Sequence, residues 1–362
     1  MIIREELYNK ALNNDFLSLE EGLFLYNKAP LSELIYIADK IRKNKHPENK
    51  VSWIIDRNVN ITNICVSKCK FCSYYRPPGH KDAYVTTIKQ YREKIDELFA
   101  LGGNQLLLQG GLNPDLNLNY YIKLFKELKR LYPSLKLHAL SPPEIVFLAK
   151  NENKSVSDVL EKLIEAGLDS LPGGGAEILV DRVRNIVSKT KCSASEWLDT
   201  MRYAHKLNII TSATMMFGHI ETIEERLEHL IKIRQLQNEL SINSYGFINF
   251  ILWPFQAKNT VFYKKYNIKN SVSSVEYIRM LALSRIILTN IENIQASWLT
   301  VGKETAQICL HAGANDLGSI MIEENVVSSA GANYKMNADQ MIAAIIEAGF
   351  IPQLRDQAFN EI

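Results

Sequence analysis

No run of apolar residues in this 362-residue sequence is long enough to cross a bilayer, which argues against a membrane-spanning helix. The first residues, Met1-Ile2-Ile3-Arg4-Glu5-Glu6, lack the apolar stretch of a secretion signal, so the expected compartment is the cytoplasm. An excess of either charge is also missing. With 42 basic and 40 acidic residues the net charge is +2, which gives no electrostatic reason to expect nucleic acid or an anionic membrane as a partner. Cysteine is scarce. The five are an odd number and three crowd into eight residues, a poor disulfide framework for a chain of this size. Cys192 and Cys309 stand alone and read as buried thiols. Walker A spacing and a nucleophile-elbow serine are absent, which leaves kinase and serine-hydrolase readings unsupported. There is no internal repeat, low-complexity tract or flexible linker.

What is present is a core-forming composition, 46% hydrophobic and 23% charged, enough for one large α/β barrel or two domains. The first fifty residues read as a helical layer. Ser18 and Glu21 have capping-box spacing, and Leu31, Leu34, Ile35, Ala38 and Ile41 recur with helical period. From residue 51 short β-rich runs alternate with helical segments. The strand candidates are 53–61, 105–109, 135–140, 170–172, 211–216, 246–251, 295–298 and a run near Asp316. The helix candidates are 88–101, 120–131, 156–166, 195–207, 224–239, 275–289, 304–311 and 338–348. Such alternation implies a parallel sheet with crossover helices, and eight units imply a (β/α) TIM-type barrel, complete or nearly so; a doubly wound open sheet is the alternative. The expected division is a helical layer over 1–50, the barrel over 51–320 and a C-terminal extension over 321–362 packed on it.

In a barrel the chemistry sits at the carboxyl ends of the strands. There the sequence places Cys65 to Cys72, Gln109-Gly110-Gly111, His138 to Glu144, Gly173 to Glu177, His219 to Glu221 and Asn315-Asp316. The cysteines of Cys65-Val66-Ser67-Lys68-Cys69-Lys70-Phe71-Cys72 are spaced C-x3-C-x2-C. Three thiolates on one short loop can hold three irons of a 4Fe–4S cubane, and with no fourth cysteine nearby one iron stays open. An open iron can chelate the amino and carboxylate groups of S-adenosylmethionine (SAM), whose S–C bond one electron from the cluster then cleaves. The competing readings are a structural zinc site, with His80 as fourth ligand, and a plain electron-transfer cluster. Zinc favours four ligands in paired motifs, and a ferredoxin-like cluster wants a fourth cysteine.

On these residues the chain resembles the radical SAM superfamily, whose hallmark is C-x3-C-x-aromatic-C. Gly173-Gly174-Gly175-Ala176-Glu177, the stretch from Ala213 to Thr222 and that from Gly246 to Thr260 look like the enzymes of the futalosine route to menaquinone. Trp253-Pro254-Phe255-Gln256 looks more like the branch that cyclises dehypoxanthine futalosine than the aminofutalosine synthase branch, and the deazaflavin (F0) synthases are more distant. Ile54-Ile55-Asp56-Arg57-Asn58, Gly313 to Ser319 and Glu323 to Val327 fit the same branch. Leu252 in place of proline, Asn238 in place of aspartate, Lys189-Thr190-Lys191 and an expanded stretch over 239–245 depart from it.

The resemblance implies Cys65, Cys69 and Cys72 as cluster ligands. It also implies a cofactor-contacting set of Phe71, Tyr74, Gln109, Gly110, Gly111, Ser141, Glu177 and Arg184, with Arg182 as the alternative to Arg184. Glycines at 110, 111 and 173–175 would let backbone approach SAM closely. The expected partners are a small-molecule substrate, dehypoxanthine futalosine, and an electron donor such as flavodoxin or ferredoxin, with neither nucleic acid nor membrane. Glu177, His219 and Glu221 are three open candidates for the proton acceptor, and for His219 and Glu221 a capping or loop role is equally compatible. His138, Ser141 and Glu144 are candidates for the same cavity, while His205, His229 and His311 read as structural. A noncatalytic iron–sulfur or zinc protein remains the reading from another class.

Overall fold

The structure is a computed structural model that describes residues 3–241 and 244–362; Met1, Ile2 and two residues of the expanded 239–245 stretch lie outside the described residues. Ten strands run through it. They are β1 (Lys50–Ile54), β2 (Asp56–Asn60), β3 (Gln105–Gln109), β4 (Lys136–Ala139), β5 (Ser170–Leu171), β6 (Ile210–Phe217), β7 (Phe247–Pro254), β8 (Asn293–Ala296), β9 (Asp316–Ser319) and β10 (Ile351–Leu354). Every paired neighbour is parallel, in the order β10-β1-β9-β8-β7-β6-β5-β4-β3-β2. β1 and β2 are two halves of one run broken at Ile55. The first half pairs with β9 and the second with β3, so the sheet curls back on itself into a (β/α) barrel. Parallel strands with helices outside and side chains packed inside are buried on both faces, which is why these segments read as apolar runs.

The crossover helices start where the sequence signals them. Thr87, Ser155, Ser193 and Thr222 each accept from the amide three residues on, and that residue's side chain accepts from the cap's own N–H. Each such cap contributes about 1 kcal/mol. The N-terminal layer forms as expected, with Ser18 and Glu21 making their capping box. The helix Leu31–Lys45 buries Leu34, Ile37, Ala38 and Ile41 against the helix Ser274–Ile287. Each fully buried Leu or Ile contributes roughly 1.5–3 kcal/mol. No helix among the described residues is long and apolar enough to cross a membrane.

The structure differs from the sequence reading in two places that matter. The strand expected over 53–61 is broken, because its halves serve opposite ends of the sheet. The segment 321–362 also does more than pack on the barrel: β10 joins β1, although Pro352 weakens its reading as a strand. Just beyond β10, Arg355 donates to both oxygens of Asp316, 2.9 Å each, and Gln357 accepts from Gln105 at 2.9 Å. With Asp56 these groups form a polar floor at the amino ends of β2, β3 and β9. Asp316, a weak pocket candidate in the sequence, is thereby a buried structural carboxylate, and Asn315 is held likewise by Arg285 and the Ile294 amide.

Candidate active site

At the carboxyl end of β2 the chain enters the cysteine loop, which neighbours pin on every side. The Cys65 amide donates to the Arg76 carbonyl at 2.9 Å and the Lys70 amide to that of Val187 at 2.9 Å. Thr190 Oγ1 donates to the Ser67 carbonyl at 2.7 Å. Gly111 closes the inner side. A Cβ there would collide with the Ile64 carbonyl, so no other residue allows this approach without the loop moving.

Hydrogen-bond partners surround two of the thiols. Cys65 Sγ accepts from the Ser67 amide at 3.4 Å and the Leu112 amide at 3.3 Å, and Cys69 Sγ lies 3.1 Å from Ser188 Oγ and 3.3 Å from Ser67 Oγ. Burial raises the Cys65 thiol above its ordinary pKa and pushes that of Cys72 up to about 11, so without a cation both stay protonated. Soft sulfur ligands, donors aimed at them and burial that disfavours a bare thiolate together fit an iron–sulfur cluster. A single-ion zinc site fits less well. His80, the fourth ligand such a site would need, has its Nδ1 turned to its own loop, 3.1 Å from the Asp82 amide.

Beside the loop lies a wall built by the ends of β3, β4 and β5. The Gly110 amide donates to Glu144 Oε1 at 3.0 Å and Ser141 Oγ to Glu144 Oε2 at 2.6 Å. Burial pushes the Glu144 carboxyl up to about 7 against both hydrogen bonds. Gly174 packs on the Gln109 amide, and its carbonyl accepts from Trp197 Nε1 at 3.1 Å. Glu177 has a φ of +41°, an unfavourable value for a side-chain-bearing residue, and its carboxylate is 2.8 Å from Lys191 Nζ. Lys191 also lies over the Phe71 ring, 5.3 Å from its centroid. Burial opposes the Lys191 ammonium, yet Glu177 holds its pKa above the ordinary lysine value. The structure thus brings Phe71, Gln109, Gly110, Gly111, Ser141 and Glu177 into one neighbourhood. Tyr74 stands nearby, hydrogen-bonded to the Tyr84 hydroxyl.

Arg184 is placed differently from the sequence expectation. Its guanidinium is buried and bonded to the carbonyls of Gly175, Ala176 and Cys192, so it shapes the turn rather than presenting a fork to a ligand. Arg182 is paired with Glu225 at 2.6 Å. His219 and Glu221 also turn inward, with both side chains fully enclosed. Glu221 accepts from the Gly218 amide at 2.6 Å, the His219 amide at 3.0 Å and Arg226 Nε at 2.7 Å. The His219 ring lies among Phe255 and Phe262. This pair secures the turn after β6 and does not line the cavity. Lys191, which sequence reasoning left without a role, stands where Arg184 was expected.

Inside the barrel a cavity of about 270 Å³ runs from Gln109 and Gly174 down to the floor. Its polar lining includes Asn58, His138, Ser212, Thr214, Asn249 and Gln295. The amide oxygens of Asn58 and Asn249 are buried without a hydrogen-bond partner, as expected of groups that await a ligand or ordered water. His138 Nδ1 is 2.7 Å from Ser170 Oγ, and burial, with Arg355 adding to it, lowers its pKa to about 3, so the ring is neutral. Except for His138, the polar cavity residues were not picked as site residues from sequence. The available signal was the alternation of Ser212 and Thr214 with apolar neighbours in a strand buried on both faces.

Two family models match the chain: the radical SAM superfamily over residues 59–233 and the CofH/MqnC C-terminal region over 244–362. The cyclic dehypoxanthine futalosine synthase of Halalkalibacterium halodurans is 40% identical over 98% of this chain and 94% of its own length. That of Streptomyces coelicolor is 38% identical, covering 99% and 88%. The 5-amino-6-(D-ribitylamino)uracil–L-tyrosine 4-hydroxyphenyl transferase of Methanococcoides burtonii is 37% identical, covering 95% of each chain. In fold the chain is similar to methylornithine synthase, with a TM-score of 0.72 at 17% identity over 97% of this chain and 98% of that one.

Proposed function

The chain belongs to the radical SAM superfamily, in the group with the CofH/MqnC C-terminal region, and from that premise we propose that it closes dehypoxanthine futalosine into cyclic dehypoxanthine futalosine for menaquinone biosynthesis. The observation that carries this reading is the 40% identity over nearly the whole chain to a cyclic dehypoxanthine futalosine synthase, together with a thiol loop after β2 and a barrel cavity that carries several polar side chains. The family implies a 4Fe–4S cluster and SAM. When bound, they would supply a 5′-deoxyadenosyl radical able to take the ribose C4′ hydrogen; closure on the benzoate ring then gives up a second hydrogen as a proton to a base and an electron that the oxidised cluster could take back, a net loss of two hydrogens.

The chain's own residues divide the work. Cys65, Cys69 and Cys72 would hold the cluster. The Ser67 and Leu112 amides favour the anionic sulfur of Cys65. Gly110, Gly111 and Gly173 to Gly175 give SAM a backbone surface, with Glu177 and Lys191 as its charged contacts. Glu144 fixes that surface by holding the Gly110 amide. The barrel keeps water from the reacting carbon. Asn58 and Asn249 offer the substrate hydrogen bonds that no protein group takes up. His138, on the cavity wall and kept neutral by burial, is a hydrogen-bond partner for the substrate; a pKa of about 3 makes it a poor base, so Glu177, His219 and Glu221 stay the candidates for the proton acceptor. Glu177, tied to Lys191, acts on the cofactor side.

The test is product analysis of anaerobically reconstituted protein with SAM, dithionite and dehypoxanthine futalosine. A product two hydrogens lighter than substrate, with stoichiometric 5′-deoxyadenosine, is expected. Turnover only with an enolpyruvyl benzoate would make it an aminofutalosine synthase. Turnover only with 5-amino-6-(D-ribitylamino)uracil and L-tyrosine would make it a transferase like the archaeal relative. Failure to form 5′-deoxyadenosine with any of them would return it to a noncatalytic metal protein.

A further inference from the structure

Of the three thiols in the loop, Cys69 is served differently from its neighbours. Cys65 Sγ accepts from the amides of Ser67 and Leu112, and the amides of Tyr74 and Tyr75 lower the Cys72 thiol pKa against the burial that raises it. Backbone amides of this kind stay in place whatever the side chain. The partners of Cys69 are two hydroxyls. Its thiol donates to Ser188 Oγ at 3.1 Å, Ser67 Oγ lies 3.3 Å from the same sulfur, and the two hydroxyl oxygens are 2.9 Å apart. All three residues of this triangle are buried. Ser67 belongs to the cysteine loop, but Ser188 reaches it from a turn 119 residues further on. That turn is docked without its help. The Lys70 amide donates to the Val187 carbonyl at 2.9 Å, Thr190 Oγ1 to the Ser67 carbonyl at 2.7 Å and the Ser188 amide to the Arg184 carbonyl at 2.8 Å. The Ser188 hydroxyl is therefore spare as a clamp.

A sulfur bound to iron carries no proton and can only accept. The bond from Cys69 to Ser188 then has to reverse. Two hydroxyl protons remain in the triangle: one can join the two oxygens and the other turns to the sulfur. Whichever hydroxyl makes the last link, Ser188 adds its proton to the chain that ends on Cys69. We infer that Ser188 is a positioning residue that sets how readily a cluster on Cys65, Cys69 and Cys72 takes up an electron. A donor aimed at a ligand sulfur stabilises the more negative, reduced form more than the oxidised form, so it raises the reduction potential. Of the donors around the three thiols, the hydroxyls on Cys69 are those a side-chain change can remove, and Ser188 is the one outside the cysteine loop. The inference rests on the cluster reading of the three thiols and needs no turnover to be tested.

The experiment is a redox titration of the anaerobically reconstituted protein, followed by electron paramagnetic resonance, in wild type, Ser188→Thr and Ser188→Val. Threonine and valine share a shape and differ in the hydroxyl. The backbone at Ser188 is extended, with φ −162°, and tolerates a branched side chain. A void of about 10 Å³ lined by Val183, Val187 and Ser188, close to what one water needs, leaves room for the added methyl. Iron and sulfide content should match in all three proteins, and S188T should titrate with wild type. In S188V the ratio of reduced to oxidised cluster at the wild-type midpoint should be about fivefold lower, a shift of about 40 mV to more negative potential for one electron. Equal potentials for S188T and S188V would overturn the inference. Loss of iron from S188V alone would overturn it too, because the hydroxyl would then be a clamp. A wild type that takes up no iron and sulfide would refute the cluster reading and the inference with it. A loaded wild type that cyclises no substrate would refute the proposed reaction, while the potentials still decide the role of Ser188.

Discussion

The turns after β5 and β6 look alike in sequence: each sets glycine, a carboxylate and a basic residue at the mouth of a barrel. In the structure they are opposites. After β6, Glu221 takes two amides of its own turn and Arg226, and His219 packs among aromatic rings, so every polar atom faces protein. After β5, Glu177 is held in a left-handed conformation against Lys191, beside Phe71 and the thiol loop. Charge at a strand end becomes a site only where the local turn does not consume it.

The sharpest way to break this comparison is to neutralise one acid in each turn. Glu177→Gln should lower the rate of 5′-deoxyadenosine formation by roughly 10²-fold, since misplacing a bound reactant costs that much, and should also lower the unfolding midpoint because buried Lys191 loses its partner. Gly111→Ala should come next, because the added methyl must displace the Ile64 carbonyl and with it the cysteine loop. Iron content after reconstitution should fall well below wild type. Glu221→Gln should cost stability alone. Removing one partner from a buried charge network costs about 3 kcal/mol, read by denaturant unfolding, while turnover of the folded protein stays within severalfold.

Acid offers a milder probe that also falls on scaffold. His229 Nδ1 accepts from the Leu179 amide at 3.0 Å, bracing the chain just past Glu177 from the helix Ile223–Gln237. Burial lowers its pKa to about 3 and that of His205 to about 4, so both are neutral when folded. Below about pH 6.5 the unfolded chain takes up protons that the folded chain refuses, so stability is lost as pH falls. Each histidine should contribute about 1.4 kcal/mol of loss per pH unit, and His229→Gln should flatten the pH dependence of unfolding.

Much of this was legible beforehand. The strand Gln105–Gln109 and the start of the helix Ile88–Ala100 fall where alternation and capping put them, because local patterning and burial agree there. The cysteine loop stood out in the sequence because its spacing points to chemistry rather than packing, and the assignment of its thiols is a proposal. Less visible was which charges meet. Arg184 and Lys191 are both basic and both near Glu177, yet Arg184 spends its guanidinium on backbone carbonyls and stands 3.7 Å from the carboxylate, while Lys191 bonds it at 2.8 Å, a choice made by the path of the turn. Asn58 and Asn249 became site candidates only when β2 and β7 were seen to face one cavity across the barrel. β10 was missed because four residues containing a proline carry almost no strand signal until β1 offers them an edge.

The central claim is that three thiols hold a cluster with one open iron. Electron paramagnetic resonance of the dithionite-reduced, reconstituted protein, recorded with and without SAM, tests it most directly. The account predicts a 4Fe–4S signal that SAM reshapes and that is lost in Cys69→Ala. A signal indifferent to SAM, or a protein that takes up zinc in place of iron and sulfide, would contradict it.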